Sequence, residues 1–200
     1  MLRIAIILTL FVGLAACQTP TQSIDPTDPN SNQTPGLNYA DFQAAANELT
    51  AEIIASPLMV HPESAQGKRY VLHMSSITND TMQRIDTDQL TKGMRVQLLN
   101  SGRFFVTTAF DGSDNATREM RELQNDEMVD QTTVQENGTV VAPDFSMSGK
   151  ILQRNNNLDN NDTRVEYYFQ LTLTDLKTGL AYWEGERVIA KVTGQRGASW

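Results

Sequence analysis

Val165-Glu-Tyr-Tyr-Phe-Gln-Leu-Thr-Leu-Thr174 reads as a β-strand with one dry face and one wet one. Val165, Tyr167, Phe169, Leu171 and Leu173 alternate with mostly polar neighbours, and a period of two puts all five on the same side of a sheet. A sheet with this pattern needs a cover on one face only. Asp175-Leu-Lys-Thr-Gly179 follows as a hairpin turn, with Gly179 placed where the backbone needs a positive φ. Tyr182 to Val192 returns as a further strand with Trp183 near its start, and upstream Phe145, Met147 and Gly149 begin a strand that runs to about Gln153.

The cover comes from the first half of the chain. Asn38 is a good helix N-cap, and Phe42, Ala45, Ala46, Leu49 and Ile53 recur at helical spacing until Ser56-Pro57 stops them. After a connection over Leu58–Gly67, the run Arg69-Tyr-Val-Leu-His-Met-Ser-Ser-Ile-Thr78 reads as a strand. Asp86 to Gln89 resembles a capping box for a second helix, which turns Leu90, Met94 and Leu98 inward and ends at Ser101-Gly102. Arg103 to Thr108 is a second strand. Asp114 or Asn115 then caps a third helix expected to turn Ala116, Met120, Leu123 and Met128 toward the core. The order α-β-α-β-α-β-β-β, without internal repeats, defines an α+β fold: a small mixed β-sheet flanked by helices.

The N-terminus is a different kind of segment. Arg3 precedes an apolar run from Ile4 to Leu14, relieved only by Thr9 and Gly13, and Leu14-Ala15-Ala16-Cys17 closes it. This is a secretory signal with a small-residue cleavage site, too short for a spanning helix of roughly 20 apolar residues. The cysteine directly after Leu-Ala-Ala makes the site resemble the lipobox of bacterial lipoproteins. That resemblance implies cleavage before Cys17 and acylation of Cys17. Cys17 is the single cysteine, so it has no partner for an internal disulfide. Gln18 follows it, not the aspartate of an inner-membrane retention signal, which points to the outer membrane. Acyl chains contribute about 0.8 kcal/mol per buried methylene, so several chains make a lasting anchor. Residues 18–38 are dominated by Pro, Thr, Gln, Asn and Ser and cannot repay their ordering by burial. As a linker in polyproline II form they reach on the order of 65 Å. The expected organisation is a signal peptide over 1–16, a lipidated Cys17 with a disordered linker over 17–38, and a periplasmic α+β domain over 39–200.

Lys and Arg number 16 against 24 Asp and Glu, a net charge of −8, and loss of Arg3 with the leader makes it −9. Such a chain carries no footprint for nucleic acid, which needs clustered cations against phosphate, and gains nothing from anionic headgroups. The domain that remains, about 160 residues, is large enough for one real core.

Catalytic chemistry finds little support. Cys17 is removed as a nucleophile by acylation, and no G-x-S-x-G elbow occurs. His73, Ser75 and Ser76 share one strand, where neighbours face opposite ways, and are expected to be two exposed hydroxyls beside a satisfied imidazole. His61, before Pro62, is expected to be an exposed loop residue, and there is no H-E-x-x-H. Asn155 to Asp162, with Asn157, Asp159 and Glu166 at calcium-loop spacing, lacks the first Asp and the Gly of that loop. It reads instead as a hairpin tip. Asp126, Glu127 and Asp130, after Glu119 and Glu122, are expected to be a solvated surface rather than a glycosidase pair. No catalytic residue, metal or cofactor is expected. Asn125 to Val141 is long, weakly periodic and poor in core residues, the character of a recognition loop.

Residues 68–193 resemble the penicillin-binding protein activator LpoB family. The carriers are a Tyr-Val-Leu strand entering Ser76-Ile-Thr-Asn79 and a helix ending Leu99-Asn-Ser-Gly-Arg-Phe104. They continue with Phe145-Ser-Met-Ser-Gly-Lys-Ile151, Tyr168-Phe-Gln-Leu-Thr-Leu-Thr-Asp175, Lys177-Thr-Gly179 and Tyr182-Trp183-Glu184. The resemblance implies a domain like the N-terminal domain of TolB, on an outer-membrane lipoprotein facing the periplasm. It implies a bifunctional class A penicillin-binding protein as partner, whose peptidoglycan synthesis the monomeric activator raises without doing chemistry. Two departures stand out. The linker is shorter than in enteric members, and an Ala/Gly-rich helix of the family is replaced by Gln135-Glu-Asn-Gly-Thr-Val-Val-Ala-Pro143. The family's partner-facing patch lies near this region, which nominates Asn125, Asp126, Glu127, Asp130 and Gln131 as contacts. The alternative is a structural lipoprotein that oligomerises in an outer-membrane secretion or flagellar-type assembly; ring formation would mark that reading.

Overall fold

Asn38 and Asp41 start the first helix by exchanging hydrogen bonds. The Asn38 side chain accepts from Asp41 N and the Asp41 carboxylate accepts from Asn38 N, each at 2.9 Å. A computed structural model of the protein describes residues 25, 28, 37–110, 114–136, 138–158 and 162–193. The leader, Cys17 and the proline-rich segment, apart from Asp25, Asp28, Leu37 and Asn38, lie outside the described residues. The elements are α1 (Tyr39–Ala55), β1 (Tyr70–Asp80), α2 (Thr87–Asn100), β2 (Phe104–Thr107), α3 (Ala116–Glu122), β3 (Phe145–Asn157), β4 (Thr163–Asp175) and β5 (Ala181–Thr193). Single 3-10 turns add Pro57–Met59, Ser64–Gln66 and Leu123–Asn125.

The five strands form one sheet in the order β2-β1-β3-β4-β5. β1 runs parallel to β2 and β3, while β4 and β5 are antiparallel additions, so the sheet is mixed as expected. α1 lies over β4 and β5, and α2 over β1 and β2, both on one face. Val165, Tyr167, Phe169, Leu171 and Leu173 are all buried beneath them, together with Phe42, Leu49, Ile53, Leu72, Met94 and Phe104. Asp86 Oδ1 accepts from Gln89 N and caps α2, whose buried stripe is the predicted Leu90, Met94 and Leu98. At its far end Gly102 takes φ 69°.

The opposite face is polar. Gln170 meets Glu186 at 2.7 Å, Tyr168 donates to Glu166 at 2.8 Å, and Lys150 pairs with Asp80 at 2.7 Å. On the helix side, Arg187 of β5 is bound by Glu52 and Glu48 of α1, which hold its guanidinium above its ordinary pKa. Lys191 pairs with Asp41 nearby.

One row of the sheet is shaped by two glycines. Gly149 and Gly185 flank Leu171 from either side, and Ile77 stands beyond Gly149. A Cβ on Gly149 would lie 2.7 Å from Leu171 Cδ2 and 2.8 Å from the Gln170 carbonyl oxygen. A Cβ on Gly185 would lie 2.4 Å from the Trp183 ring. The missing side chains make room for Leu171, Trp183 and Leu49. Next to this row β1 shifts register between Met74 and Ile77, a bulge that keeps Ile77 buried while Ser76 turns outward.

Several expectations are corrected. α3 spans only Ala116–Glu122 and buries no residue; Met120 is exposed, Leu123 half-buried and Met128 92% exposed. The reason is topological. β1 and β3 are neighbours, so the connection from β2 must cross β1, and a right-handed crossover takes it over the face opposite α2. The hydrophobic spacing of α3 therefore has no core to meet. His73 is not a satisfied imidazole: Nδ1 is buried without a hydrogen-bond partner, and the ring lies edge-on to Phe110. Ser75 is half-buried and shares a 2.9 Å hydroxyl contact with Ser146. His61 is half-buried, accepts from Glu63 N and packs on Tyr70. Asn155–Asn157 belong to β3 and pair with β4, so the hairpin tip starts only at Leu158. Leu37, grouped with the linker by composition, is 3% exposed.

Candidate partner-binding surface

The connection over residues 108–144 is the longest stretch between strands. Unstructured loops beyond about 12–15 residues are uncommon in a compact domain unless they serve a function. α3 and the turn Leu123–Asn125 occupy its first half. Its end is pinned: Asp144 exchanges backbone bonds with Val71 and Leu176, and its carboxylate accepts from Val71 N at 2.8 Å.

The five nominated residues sit together in this loop, and three of them shape it. Gln131 Nε2 donates to the carbonyls of Leu123, Asp126 and Val129 at 3.1, 2.8 and 3.2 Å, so one side chain gathers a whole turn. Asp126 Oδ1 accepts from Met128 N at 2.9 Å. Asp130 Oδ1 accepts from the Thr132 hydroxyl at 2.7 Å and from Thr132 N at 2.9 Å. These are side-chain turns in which a short carboxylate replaces a backbone acceptor. The Thr132 hydroxyl first, then the Thr132 amide, lowers the pKa of Asp130. The contribution of this turn is therefore present above the ordinary carboxylate value and is lost as pH falls through the lowered one. Glu127 is exposed and makes no hydrogen bond or ion pair among the described residues. The side chain of Asn125 lies outside what is described.

Gln124 Nε2 donates to Gln135 O at 2.8 Å and closes a cleft of about 430 Å³ between α3 and residues 135–140. Met120 and Val140 line it, with Arg121 and Glu136 at its margins. Val140 also borders a second cleft against β1 and β2, lined by Arg69, Val71, Phe105 and Val141.

Sequence reasoning missed a row of rings at the same end of the sheet. His61, Tyr70, Phe145 and Tyr182 touch in succession, with centroid distances of 4.9, 4.9 and 5.0 Å. Arg69 lies over Phe105 at 5.0 Å. These positions come from four separate segments, and no spacing rule links them. Burial first, then Tyr182, Asp144 and Asp175 nearby, raises the pKa of Tyr70, so it stays a neutral phenol.

Among the described residues, no group of three or more His, Cys, Asp or Glu is placed to hold a metal ion, and Asp159 lies outside them. No helix there is long and apolar enough to cross a membrane. What the surface offers is shape, apolar area and a few charges, the equipment of a binding domain.

The family model of the peptidoglycan-synthase activator LpoB matches residues 41–189. The chain belongs to the LpoB family of peptidoglycan-synthase activators, a regulatory family. Among solved structures, it is similar to the LpoB C-terminal domain from Salmonella enterica at 16% identity, over 74% of this chain and 98% of that one, with a TM-score of 0.45. The NMR structure of Escherichia coli LpoB is similar at 15% identity, over 88% of this chain and 83% of that one, with a TM-score of 0.42. Lipoprotein GNA1162 from Neisseria meningitidis is similar at 12% identity, over 62% and 84%, with a TM-score of 0.37. No curated protein matches the sequence.

Proposed function

We propose that this chain is an outer-membrane lipoprotein, anchored through acylated Cys17, that binds a bifunctional class A penicillin-binding protein from the periplasm and raises its activity. Family membership over residues 41–189 is the observation that carries this reading. It also favours an activator over a structural assembly component. The activator does no chemistry of its own. It acts by binding the active state of the synthase more tightly than the resting state, and the shift is limited by that difference in affinity. A tenfold rise needs about 1.4 kcal/mol of differential binding.

Residues 1–16 serve as the leader and the segment after Cys17 as the tether. Asn125, Asp126, Glu127, Asp130 and Gln131 form the partner-facing loop, with Glu127 as the exposed charge that makes no turn-forming bond and the Asp and Gln side chains holding the loop in shape. The test is glycan polymerisation from lipid II by the same organism's class A synthase, with and without the full chain in detergent. A several-fold rise is expected. Glu127→Lys, which leaves the turn-forming bonds in place, is expected to cut that rise by at least half. Absence of both stimulation and binding would refute the activator reading; full activity of the variant would move the contact elsewhere. For the anchor, metabolic labelling with palmitate is expected to mark the wild-type protein and to leave Cys17→Ala unlabelled.

A further inference from the structure

The chain enters the domain at one end of the sheet and shows its apolar surface at the other. Leu37 is held by Gln83, just past the C-terminal end of β1, through both its backbone N–H and its C=O. The opposite end gathers the starts of β1 and β3, the finish of β4 and the turn into β5. From Tyr167 to Asp175 along β4 the two ends lie roughly 25 Å apart at about 3.3 Å per residue.

At that far end large apolar side chains stand in water: Phe105 is 49% exposed, Phe110 52%, Val141 64% and Leu180 66%. Phe105 and Val141 line a cleft of about 480 Å³, and Phe110 and Tyr182 line one of about 560 Å³ that begins at the next residue, Ala142, while Leu180 stands in the turn before β5. The nearby carboxylates are occupied by backbone: Asp144 by Val71 N, and Asp175 by Lys177 N and Thr178 N. Glu63 is paired with Lys68. Arg69 and Lys177 have no carboxylate partner among the described residues, in a chain whose net charge is −8. Exposed apolar area rimmed by charge marks a contact surface.

We propose that this tether-distal end is the docking surface for the synthase, and that it receives a patch of apolar side chains flanked by carboxylates that meet Arg69 and Lys177. The proposal rests on the activator reading above and extends the contact from the 125–131 loop, through Val140 and Val141, onto the end of the sheet. The position fits the tether. A partner reached from the outer membrane is met first by the end farthest from the anchor. The rings supply rigid contact area at low entropic cost, and the two cations supply orientation.

The experiment compares the full chain with Val141→Glu, Leu180→Glu and Lys177→Glu, each at an exposed side chain, and with Met82→Glu on the tether side as control. Binding to the immobilised class A synthase and stimulation of lipid II polymerisation are read together, with thermal melting to establish folding. At least tenfold weaker binding for the three variants is expected, with melting and the control unchanged. Wild-type binding that survives all three substitutions would overturn this surface while leaving the activator reading intact. Wild-type protein that neither binds nor stimulates would remove the activator reading and this proposal with it. Loss of binding to purified sacculi alone, or a change only in the sedimentation of the chain by itself, would assign the surface to glycan or to a second copy and overturn the synthase assignment.

Discussion

Phe169→Ala is expected to destabilise the domain by about 4 kcal/mol, within the range measured for truncating a fully buried aromatic ring. Phe169 is wholly buried in β4, paired in register between Ile151 of β3 and Arg187 of β5, beneath the helices. Both flanking strands fix the backbone at this point, so the cavity cannot collapse without breaking ladder bonds. A domain of this size has about 5–15 kcal/mol in total, so the loss is about a quarter or more of the whole. Urea titration is the measurement. The midpoint is expected to fall with the slope unchanged, since the surface exposed on unfolding stays almost the same. A loss below about 1 kcal/mol would mean that the centre of the sheet repacks freely and that the description of the core is wrong.

Gly149→Val is expected to cost about 3 kcal/mol by the opposite mechanism, overfilling. The new Cβ would press on Leu171 Cδ2 at 2.7 Å and on the carbonyl oxygen of Gln170 at 2.8 Å. A side chain can swing away, but the Gln170 carbonyl belongs to the neighbouring strand and moves only if β3 and β4 separate. The comparison with Gly185 is informative. A Cβ there meets only side-chain atoms, of Trp183 and Leu49. Gly185→Ala should therefore be milder than Gly149→Ala, although its shortest contact is closer. Melting temperatures of the two alanine variants, measured side by side, check this order. If Gly185→Ala proves the more damaging, side-chain yielding is not what separates the two sites.

The alternation of Val165, Tyr167, Phe169, Leu171 and Leu173 was legible because a strand with one dry face has a period that nothing else imitates over ten residues. α1 and α2 were legible for the matching reason: caps at Asn38 and Asp86 bracket apolar stripes. α3 misleads because Met120, Leu123 and Met128 carry helical spacing, while spacing records a face and not what the face meets. Chain crossing decides that, and crossing is a property of strand order. Asn155–Asn157 misread in the other direction, since residues with poor strand preference are carried into β3 by pairing with Thr163, Arg164 and Val165. In the loop after α3, composition marks an exposed segment poor in core residues, but the work of Gln131 does not show in it. A glutamine that ties three carbonyls looks in sequence like any other polar residue. The ring row from His61 to Tyr182 is further still from view, because its members are brought together only by the assembled sheet.

The clamp at Leu37 has a mechanical consequence. Gln83 holds both polar groups of that residue, accepting from its amide at 3.1 Å and donating to its carbonyl at 2.7 Å, while the leucine side chain is sunk into the core. A pull on the chain upstream must extract Leu37 and break both bonds before any tension reaches the Asn38 cap. Behind the cap, α1 is riveted to β5 by Glu48, Glu52 and Asp41. Force applied to the chain before Leu37 is thus stopped at the entry point, as at the strain relief of a cable. The sheet and the surface at its far end keep their shape under such a pull.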